Sequence, residues 1–306
     1  MILRYSVVLR AILIVTCLLS SAEAAKKKKR PPASDIAISP EFYDMCNGYR
    51  PLPHKGGTKK KLQWLVEASG AKTLLLKSSP QHSAACWVLH RDRKRSSKKQ
   101  TLIQRYTLAV LHFATTHSNT TAWDWGMADR YDPRMPEMTF STKAKDQKKM
   151  NKPHNWLSEK QDECSWYGVT CNWRSHIVQL ELGFLKLDGL VPSELSLLAE
   201  LKELDLHGND LQGVLPHKIL VGLEQLERLK LYMNGFFGSL HHEIVALKSL
   251  KELSMFGNYM SSPIPTELGS LRNLEAIDLY ANNLSGRIPS ELGRLKNLVY
   301  LDLHDK

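Results

Sequence analysis

Residues 177–306 repeat a pattern of leucine-type side chains with a period of about 24 residues. Among fold classes, only a solenoid repeats at a fixed short interval, because each coil buries its apolar side chains against the next coil. The pattern therefore predicts a stack of short coils over this half of the chain. The successive segments begin at Ile177, Leu201, Leu226, Leu250, Leu274 and Leu298.

Each repeated position has a physical role. Alternating apolar pairs, such as Ile277 with Leu279, predict a short strand that turns one face to the core. Glycine and proline, such as Gly213 and Pro216, allow a tight bend and fix φ where the chain turns back. An asparagine follows each strand in four segments, where its amide can bond turn backbone that the coil leaves unpaired. These residues are Asn209, Asn234, Asn258 and Asn282.

The offsets L-x-x-L-x-L-x-x-N-x-L and G-x-[IVL]-P-x-x-[LI]-G-x-L resemble the plant-type leucine-rich repeat, which also occurs in algal proteins. The resemblance implies an α/β solenoid, a right-handed leucine-rich repeat superhelix with a parallel sheet on its concave side and a helical N-terminal cap. We expect five complete repeats and a truncated sixth over residues 177–306. Three departures put local turn geometry in question: Leu185 for asparagine, His241 for proline and Ser262 for glycine.

Residues 101–176 are predicted to form the N-terminal cap. Apolar residues at helical spacing from residue 101 to 117 indicate an amphipathic helix. The C-x-W-x-G-V-x-C motif that starts at Cys164 resembles the cap of plant-type repeat proteins, in which the two cysteines are joined. We expect the helix, Trp166 and Val169 to cover the exposed edge of the first coil. The basic stretch 127–152 is longer than the family connection and predicts a looped-out insertion.

The first 24 residues have the composition of a secretory signal peptide. Arg4 and Arg10 precede an apolar run over residues 11–19, and Ala22-Glu23-Ala24 forms a cleavage site. The run is too short to span a bilayer comfortably, so secretion is favoured. The alternative is a membrane anchor formed by an uncleaved segment, since the five basic residues from Lys26 to Arg30 resist translocation. No other stretch of the sequence could cross a membrane.

Charge is distributed unevenly along the chain. Residues 26–153 hold 26 Lys or Arg against 10 Asp or Glu, whereas residues 154–306 hold 14 against 20. We interpret residues 25–100 as a basic, partly disordered arm. The functional alternative is that its positive charge binds an anionic polymer. Apolar stretches at 62–68, 73–76 and 86–89 leave open short helices packed on the cap, although these stretches are separated by features that read as breaks: Gly56-Gly57, Ser78-Ser79-Pro80 and the charged run from Arg91 to Lys99. Nucleic-acid binding is not expected, because the lysines lack interleaved aromatic residues.

Five cysteines support an exported protein. Cys17 lies in the signal segment, which leaves an even number. The family resemblance implies a Cys164–Cys171 bond, and Cys46–Cys86 then follows by elimination. No metal site is predicted, since no second closely spaced cysteine pair or suitable histidine spacing is present. Two triplets match the glycosylation acceptor pattern, at Asn119 and Asn283.

Outward positions of the predicted strands form two columns. Neighbouring strands lie roughly 4.8 Å apart, so adjacent members of a column can touch. The first column is Gly183, His207, Tyr232, Phe256, Tyr280 and His304. The second is Glu181, Asp205, Lys230, Ser254, Asp278 and Asp302. This aromatic and acidic strip predicts a binding surface for a protein, peptide or glycan. Alternatively, tyrosine is merely tolerated on a half-buried pleated surface.

Catalysis is not predicted. The sequence has no Ser-His-Asp order, phosphate loop or kinase motif set. Asp278 and Asp302 superficially resemble a hydrolase pair, but we expect a shallow open face with no means of shifting a pKa. We therefore expect a non-enzymatic extracellular recognition module without a cofactor, similar to a receptor ectodomain or to a soluble inhibitor of polysaccharide-degrading enzymes. The alternative is a structural wall or matrix component attached through its basic arm.

The last segment predicts an unfinished solenoid. Lys306 occupies the asparagine position of the sixth repeat. An open end would expose apolar surface, so we expect a fragment, an incomplete gene model or an end covered by another chain.

Overall fold

The computed structural model describes residues 38–46, 48–50, 52–53, 55–92, 98–116 and 155–304. The predicted signal peptide 1–24, the basic block Lys26–Arg30 and the predicted glycosylation site at Asn119 lie outside these ranges. The described residues from Pro40 onwards belong to one compact unit. Within the described ranges, no helix is both long and apolar enough to cross a bilayer.

The repeats build a parallel sheet, as predicted. Six parallel strands, one from each repeat, are joined at one edge by strand β1 of the cap, and the order is β1-β2-β4-β6-β8-β10-β12. Leucine-type residues pair in register across it, because every coil has nearly the same length. These side chains are buried, which confirms the predicted core face. The strands are β1 Val169–Cys171, β2 Ile177–Glu181, β4 Glu203–Asp205, β6 Arg228–Lys230, β8 Glu252–Ser254, β10 Ala276–Asp278 and β12 Tyr300–Asp302.

A second parallel sheet, absent from the sequence prediction, lies further along each coil. Its five strands lie in the order β11-β9-β7-β5-β3 and alternate with those of the first sheet along the chain. Short helices, mostly 3-10, follow these strands and lead back to the first sheet: 193–197, 217–222, 242–246, 266–270 and 290–294. The second-sheet strands are β3 Asp188–Leu190, β5 Asp210–Gly213, β7 Gly235–Gly238, β9 Tyr259–Pro263 and β11 Asn283–Ser285.

The asparagine ladder is confirmed. Nδ2 of Asn234 donates to the carbonyl oxygen of Leu206 in the preceding coil at 2.9 Å and to that of Leu231 in its own coil at 3.1 Å. Its Oδ1 accepts the N–H of Leu211 at 3.1 Å. Asn209, Asn258 and Asn282 make the same kinds of bonds. Each buried amide therefore satisfies backbone groups of two coils and ties them together.

Ser262 adopts the backbone conformation that glycine adopts in the neighbouring coils. Its φ is 81°, against 86° for Gly238 and 76° for Gly286. A residue with a Cβ is disfavoured in this left-handed region by roughly 1–2 kcal/mol. The turn is thus kept in spite of the substitution, at a local energetic cost.

Residues 55–92 are mostly helical, which is the alternative that the sequence left open within the basic arm over residues 25–100. They form helices α1 Gly56–Ser69, α2 Ala71–Leu75 and α3 Pro80–Cys86, followed by a π-helical turn over Trp87–Arg91. The features read as breaks are helix ends. Gly56 begins α1, while Ser79 accepts the N–H of His82 and Pro80 occupies the first turn of α3. The buried side chains here include Leu62, Leu65, Leu74, Ala84 and Trp87.

Helix α4, Lys99–Ala114, covers the front of the first coil as predicted. Gln104 satisfies backbone groups beside β2: its Oε1 accepts the N–H of Ile177 at 3.0 Å and its Nε2 donates to Ser175 at 2.9 Å. Trp166 and Val169 are buried, in agreement with their predicted covering role. Strand β1 pairs antiparallel with β2, which the sequence did not predict. The sheet edge is thereby covered by both a helix and a strand.

Arg105 on α4 is fully buried and joins the segments of the cap. Nε and Nη2 donate to the two carboxylate oxygens of Asp92 at 2.9 and 2.8 Å, and Nη1 donates to Glu163 at 3.1 Å. The guanidinium also lies 5.2 Å from the Trp87 ring and 5.0 Å from the Trp166 ring. Burial of this charge is tolerated because both carboxylates and both ring faces surround it.

Both predicted disulfides are present. Cys46 and Cys86 are joined, which links the 40–46 segment to the end of α3. Cys164 and Cys171 are joined across the cap motif.

Candidate ligand-binding face of the sheet

The aromatic column forms a continuous stack on the face of the seven-stranded sheet that points away from the leucine core, here called the open face. Its five rings have centroid separations of 4.4–4.7 Å and interplanar angles of 10–18°. Because parallel strands hold equivalent residues about 4.8 Å apart, identical offsets in successive coils bring the rings face to face. We call this stack the aromatic ladder: His207, Tyr232, Phe256, Tyr280 and His304.

The first coil ends the ladder with a different contact. A side chain at Gly183 would place its Cβ 2.3 Å from the ring of His207, so glycine leaves room for that ring. Phe184 packs against His207 instead, with a centroid distance of 4.6 Å and an interplanar angle of 88°. The stack therefore begins at His207, and Gly183 contributes space.

Ring exposure corrects one part of the expected interface. Phe256 is only 5% exposed, because Tyr232 and Tyr280 cover its two faces. Tyr232 and Tyr280 are themselves half-buried. The ladder consequently presents ring edges and polar ring atoms to solvent, while most of its ring faces contact each other.

Each terminal histidine of the ladder is held by an aspartate two residues earlier. Oδ1 of Asp205 accepts the backbone N–H of His207 at 3.2 Å and also pairs with its Nδ1. Asp302 makes the same two bonds to His304, at 3.1 Å and 2.5 Å. Since the carboxylate accepts from Nδ1, the ring orientation at both ends is fixed by the local Asp-x-His sequence.

Lys230 is engaged within the sheet. Its Nζ donates to Oε1 of Glu203 at 3.0 Å, while Arg228 donates to Oε2 of the same carboxylate at 2.9 and 2.6 Å. Burial would raise the pKa of Glu203, but the hydrogen bonds from Arg228 and Lys230 outweigh it and lower that pKa. Glu252 lies 4.0 Å from Lys230 on the other side. The cation therefore neutralises neighbouring carboxylates.

Asp278 and Asp302 are paired in register on β10 and β12. Burial, together with the charge of Asp302, raises the pKa of the Asp278 carboxyl to about 6. Its Oδ1 is buried and accepts no hydrogen bond from the described residues. This corrects the expectation that the open face cannot shift a pKa, since the ladder and the adjacent strand partly shield Asp278 from water.

Sequence comparison recognises the same two parts of the chain. A model described as "Leucine rich repeat N-terminal domain" matches residues 139–172. A model described as "Leucine Rich Repeat" matches residues 200–220, 249–271 and 273–295. These matched repeats coincide with coils whose sheet and asparagine ladder are described above. The chain is a plant-type leucine-rich repeat protein.

Curated relatives of this leucine-rich repeat protein include two from Arabidopsis thaliana. The protein is 35% identical over 109 residues to "Probable LRR receptor-like serine/threonine-protein kinase RPK1", covering 28% of this chain and 20% of the relative. It is 34% identical over 93 residues to "Phytosulfokine receptor 1", covering 29% of this chain and 9% of the relative. The chain thus matches a fifth or less of each relative's length.

A solved structure also resembles this leucine-rich repeat protein. It is the "Crystal structure of the Arabidopsis receptor kinase HAESA in complex with the peptide hormone IDA and the co-receptor SERK1", with 34% identity and a TM-score of 0.47. The match covers 49% of this chain and 25% of that chain.

The N-terminal domain match begins at residue 139, inside the stretch 127–152 that the sequence predicts as a looped-out insertion. The residues of that stretch lie outside the described part of the chain. The match ends at Asn172, just after the strand β1 that pairs with β2. The recognised domain therefore includes the cap motif from Cys164 to Cys171.

Sequence reasoning missed three residues of the leucine-rich repeat face: Glu203, Arg228 and Glu252. They occupy a third outward column, two residues before Asp205, Lys230 and Ser254. The same repeat alignment that identified the first two columns also defines this one. The signal was therefore present in the sequence.

Asn283, a predicted glycosylation site, lies on a different surface of the leucine-rich repeat protein. It is exposed and begins β11 at the edge of the second sheet. A modification there would leave the open face uncovered. Among the described residues, no group of three or more histidine, cysteine, aspartate or glutamate side chains is placed to hold a metal ion.

Proposed function

We propose that this protein is a non-enzymatic extracellular recognition module whose open face binds an extended peptide carrying positively charged side chains. The observation that carries the proposal is the aromatic ladder running across five coils beside a predominantly acidic surface. A glycan or a folded protein edge is a weaker candidate, because neither accounts for the concentration of carboxylates.

The ladder supplies a rigid platform. Each ring is held by stacking on its neighbours, so little side-chain entropy is lost when a ligand contacts the ring edges. The hydroxyl groups of Tyr232 and Tyr280 add polar atoms that can bond a peptide backbone. The open face as a whole, from β2 to β12, has five strand intervals of about 4.8 Å and a length of about 24 Å, which an extended peptide spans with about seven residues.

The charge of the open face favours a basic peptide. Six carboxylates occupy its outward columns from β2 to β12, and two permanent cations oppose them. Both cations, Arg228 and Lys230, are already bonded to Glu203. The carboxylates are Glu181, Glu203, Asp205, Glu252, Asp278 and Asp302.

The Asp278–Asp302 pair is the strongest attachment point for a ligand cation. Like charges placed opposite each other on adjacent strands are destabilising, and the buried Oδ1 of Asp278 has no donor among the described residues. A lysine or arginine side chain of the ligand would relieve the repulsion between the two carboxylates. We therefore assign that end of the ladder to a basic residue of the peptide.

The extracellular assignment is supported by the two disulfides, which persist mainly in oxidising compartments. The curated relatives carry the words "receptor-like" and "receptor" in their names. Because this chain matches only a small part of those proteins, we carry over the binding role and leave the kinase activity of their names aside.

An array of random peptides of about seven residues, sorted by net charge, tests the proposal. We expect the protein to retain basic peptides selectively, with retention lost in a Tyr232→Ala, Tyr280→Ala double variant. Tyr259→Ala is the matched control, since Tyr259 is 53% exposed on the second sheet. Equal retention of basic and acidic peptides, or equal loss in the Tyr259→Ala control, would refute the assignment.

A further inference from the structure

A cavity of about 800 Å³ opens in the helical cap, among residues that belong to neither sheet. Both cysteines of the Cys46–Cys86 disulfide line it, together with His82. Cavities of about 300–1,000 Å³ are typical of small-molecule sites. Its aromatic lining residues are Tyr49, Trp87, His112 and Phe113.

His82 is oriented toward a cysteine sulfur. Its Nδ1 lies 2.7 Å from the carbonyl oxygen of Leu74, so Nδ1 carries a proton, because a carbonyl can only accept. Its Nε2 lies 3.6 Å from Sγ of Cys86, four residues further along the chain. A disulfide sulfur has no proton to donate and is a poor acceptor. A protonated Nε2 would stabilise Cys86 much more strongly as a thiolate, after the S–S bond is broken.

The charges around the cavity also favour a thiolate. Lys77 and Arg91 both line it. Glu159 is the one carboxylate in its described lining, and Oε1 of that residue accepts a hydrogen bond from Nε of Arg91 at 3.0 Å. No ion pair joins Lys77 to the residues that the structure describes. Cationic surroundings lower the free energy of a cysteine anion and speed its departure.

The second disulfide lacks these features. Cys164 and Cys171 are both half-buried, whereas Cys46 and Cys86 are only 5% and 9% exposed. The backbone N–H of Cys164 donates to Asp162 Oδ1 at 3.1 Å, which places a carboxylate beside it. Exposure alone therefore predicts that Cys164–Cys171 reacts first, while local charge predicts that Cys46–Cys86 does.

We propose that the cavity is a modification site at which a small, carboxylate-bearing thiol exchanges with the Cys46–Cys86 disulfide. The thiolate of the ligand attacks Sγ of Cys46 and forms a new S–S bond with it. The Cys46–Cys86 bond breaks, and its electron pair remains on Sγ of Cys86. The proton that the incoming thiol loses on ionising passes through His82 Nε2, the nitrogen that faces Cys86, to that sulfur. One disulfide is lost and one is formed, so the step requires no oxidant or reductant besides the thiol.

The ligand class follows from the lining. Lys77 offers a cationic group for a carboxylate of the incoming thiol, and the aromatic rings offer apolar contact for the rest of it. Cys86 is the leaving group because its sulfur is the one that His82 contacts. The site thus predicts that the thiol bears a carboxylate and that it becomes attached to Cys46.

The experiment uses the folded protein and reduced glutathione as the probe, with N-ethylmaleimide to trap free thiols and peptide mapping by mass spectrometry. We expect glutathione on Cys46 and maleimide on Cys86, formed roughly tenfold faster than any product at Cys164 or Cys171. Faster reaction at Cys164–Cys171, or glutathione on Cys86 with maleimide on Cys46, would overturn the proposal.

Two variants separate charge and geometry from simple accessibility. His82→Gln is expected to slow formation of the Cys46 adduct roughly five- to tenfold, whereas His242→Gln, an exposed histidine in the repeats, leaves it unchanged. Lys77 is exposed, so we expect Lys77→Gln to fold normally. This variant is expected to slow the reaction with glutathione more than the reaction with the neutral thiol 2-mercaptoethanol. If His82→Gln does not fold, the Lys77 comparison decides, and equal slowing of both thiols or no slowing contradicts the proposal.

Discussion

The Asp278 carboxylate faces that of Asp302 on the adjacent strand, and the two residues are in register across β10 and β12. Burial and this neighbouring charge raise the pKa of Asp278 to about 6, while hydrogen bonds from His304 help to lower the pKa of Asp302 against the effect of its burial. The two carboxylates thus titrate in different pH ranges. We therefore expect this pair to make the free energy of unfolding depend on pH. It is also the reason for predicting a positively charged ligand side chain.

Asp278→Asn is expected to stabilise the protein at neutral pH. Because the folded-state pKa lies above the ordinary value, the folded state binds more protons between about pH 4 and 6, so this group makes the free energy of unfolding fall as pH rises through that range. After allowance for screening at a half-exposed group, we expect a gain of about 1 kcal/mol above pH 6. Chemical denaturation at several pH values measures it.

Glu224→Gln is the control for that measurement, because it also removes one carboxylate charge but lies on the surface without a cross-strand aspartate. As a substitution at an exposed position, it should change the stability by no more than about 0.5 kcal/mol. An Asp278→Asn curve that runs parallel to the wild-type curve from pH 4 to 7 would show that the pair does not perturb titration.

Ser262→Gly is expected to stabilise the fold by about 1 kcal/mol, because it removes a Cβ from a residue with a φ of 81°. Gly286→Ala is the opposite change at the same position of the next coil. Its φ is 76°, and the added Cβ would meet Pro263 at an ordinary contact distance of 3.4 Å. That variant should lose about 1 kcal/mol; a loss in both variants would contradict the strain at Ser262.

Arg105→Met is expected to destabilise the cap by about 3–5 kcal/mol, because it leaves Asp92 and Glu163 buried without their cation. Burial already raises the pKa of Glu163, which the Arg105 hydrogen bond partly opposes. Adding Asp92→Asn and Glu163→Gln to the same chain should recover most of the loss. If the triple variant unfolds at no higher denaturant concentration than Arg105→Met alone, loss of the ion pairs is not the cause of the destabilisation.

Phe256→Leu is expected to destabilise the repeats by roughly 1–3 kcal/mol, since Phe256 stacks on two rings and each such contact contributes about 0.5–1.5 kcal/mol beyond burial. Phe237→Leu is the control, because Phe237 is 51% exposed on the second sheet. Its effect should remain within about 0.5 kcal/mol. Equal losses would mean that stacking in the ladder adds nothing to stability.

The repeat register made the open face predictable from the sequence. Once coils are aligned, Tyr232 and Tyr280 must lie in one column, because parallel strands have a fixed spacing. The same argument predicts the asparagine ladder. It does not predict how far each ring is buried, since the covering of Phe256 depends on ring rotation within the column.

The cap was less predictable because its contacts join residues far apart in sequence. Arg105 reads as a polar interruption of an amphipathic helix, and only the folded chain brings Asp92 and Glu163 to it. Ser79 and Pro80 read as a break between segments, although the same two residues begin a helix. Local signals for a helix start and for a loop are therefore indistinguishable here without the tertiary contacts.

The most direct test of the central claim places a photo-crosslinking amino acid at residue 232 of the open face or at residue 259 of the second sheet. A basic peptide selected on the array is then irradiated with each protein. The account predicts covalent capture from position 232 and none from position 259. Capture from position 259 alone, or from neither position while the peptide still binds, would contradict it.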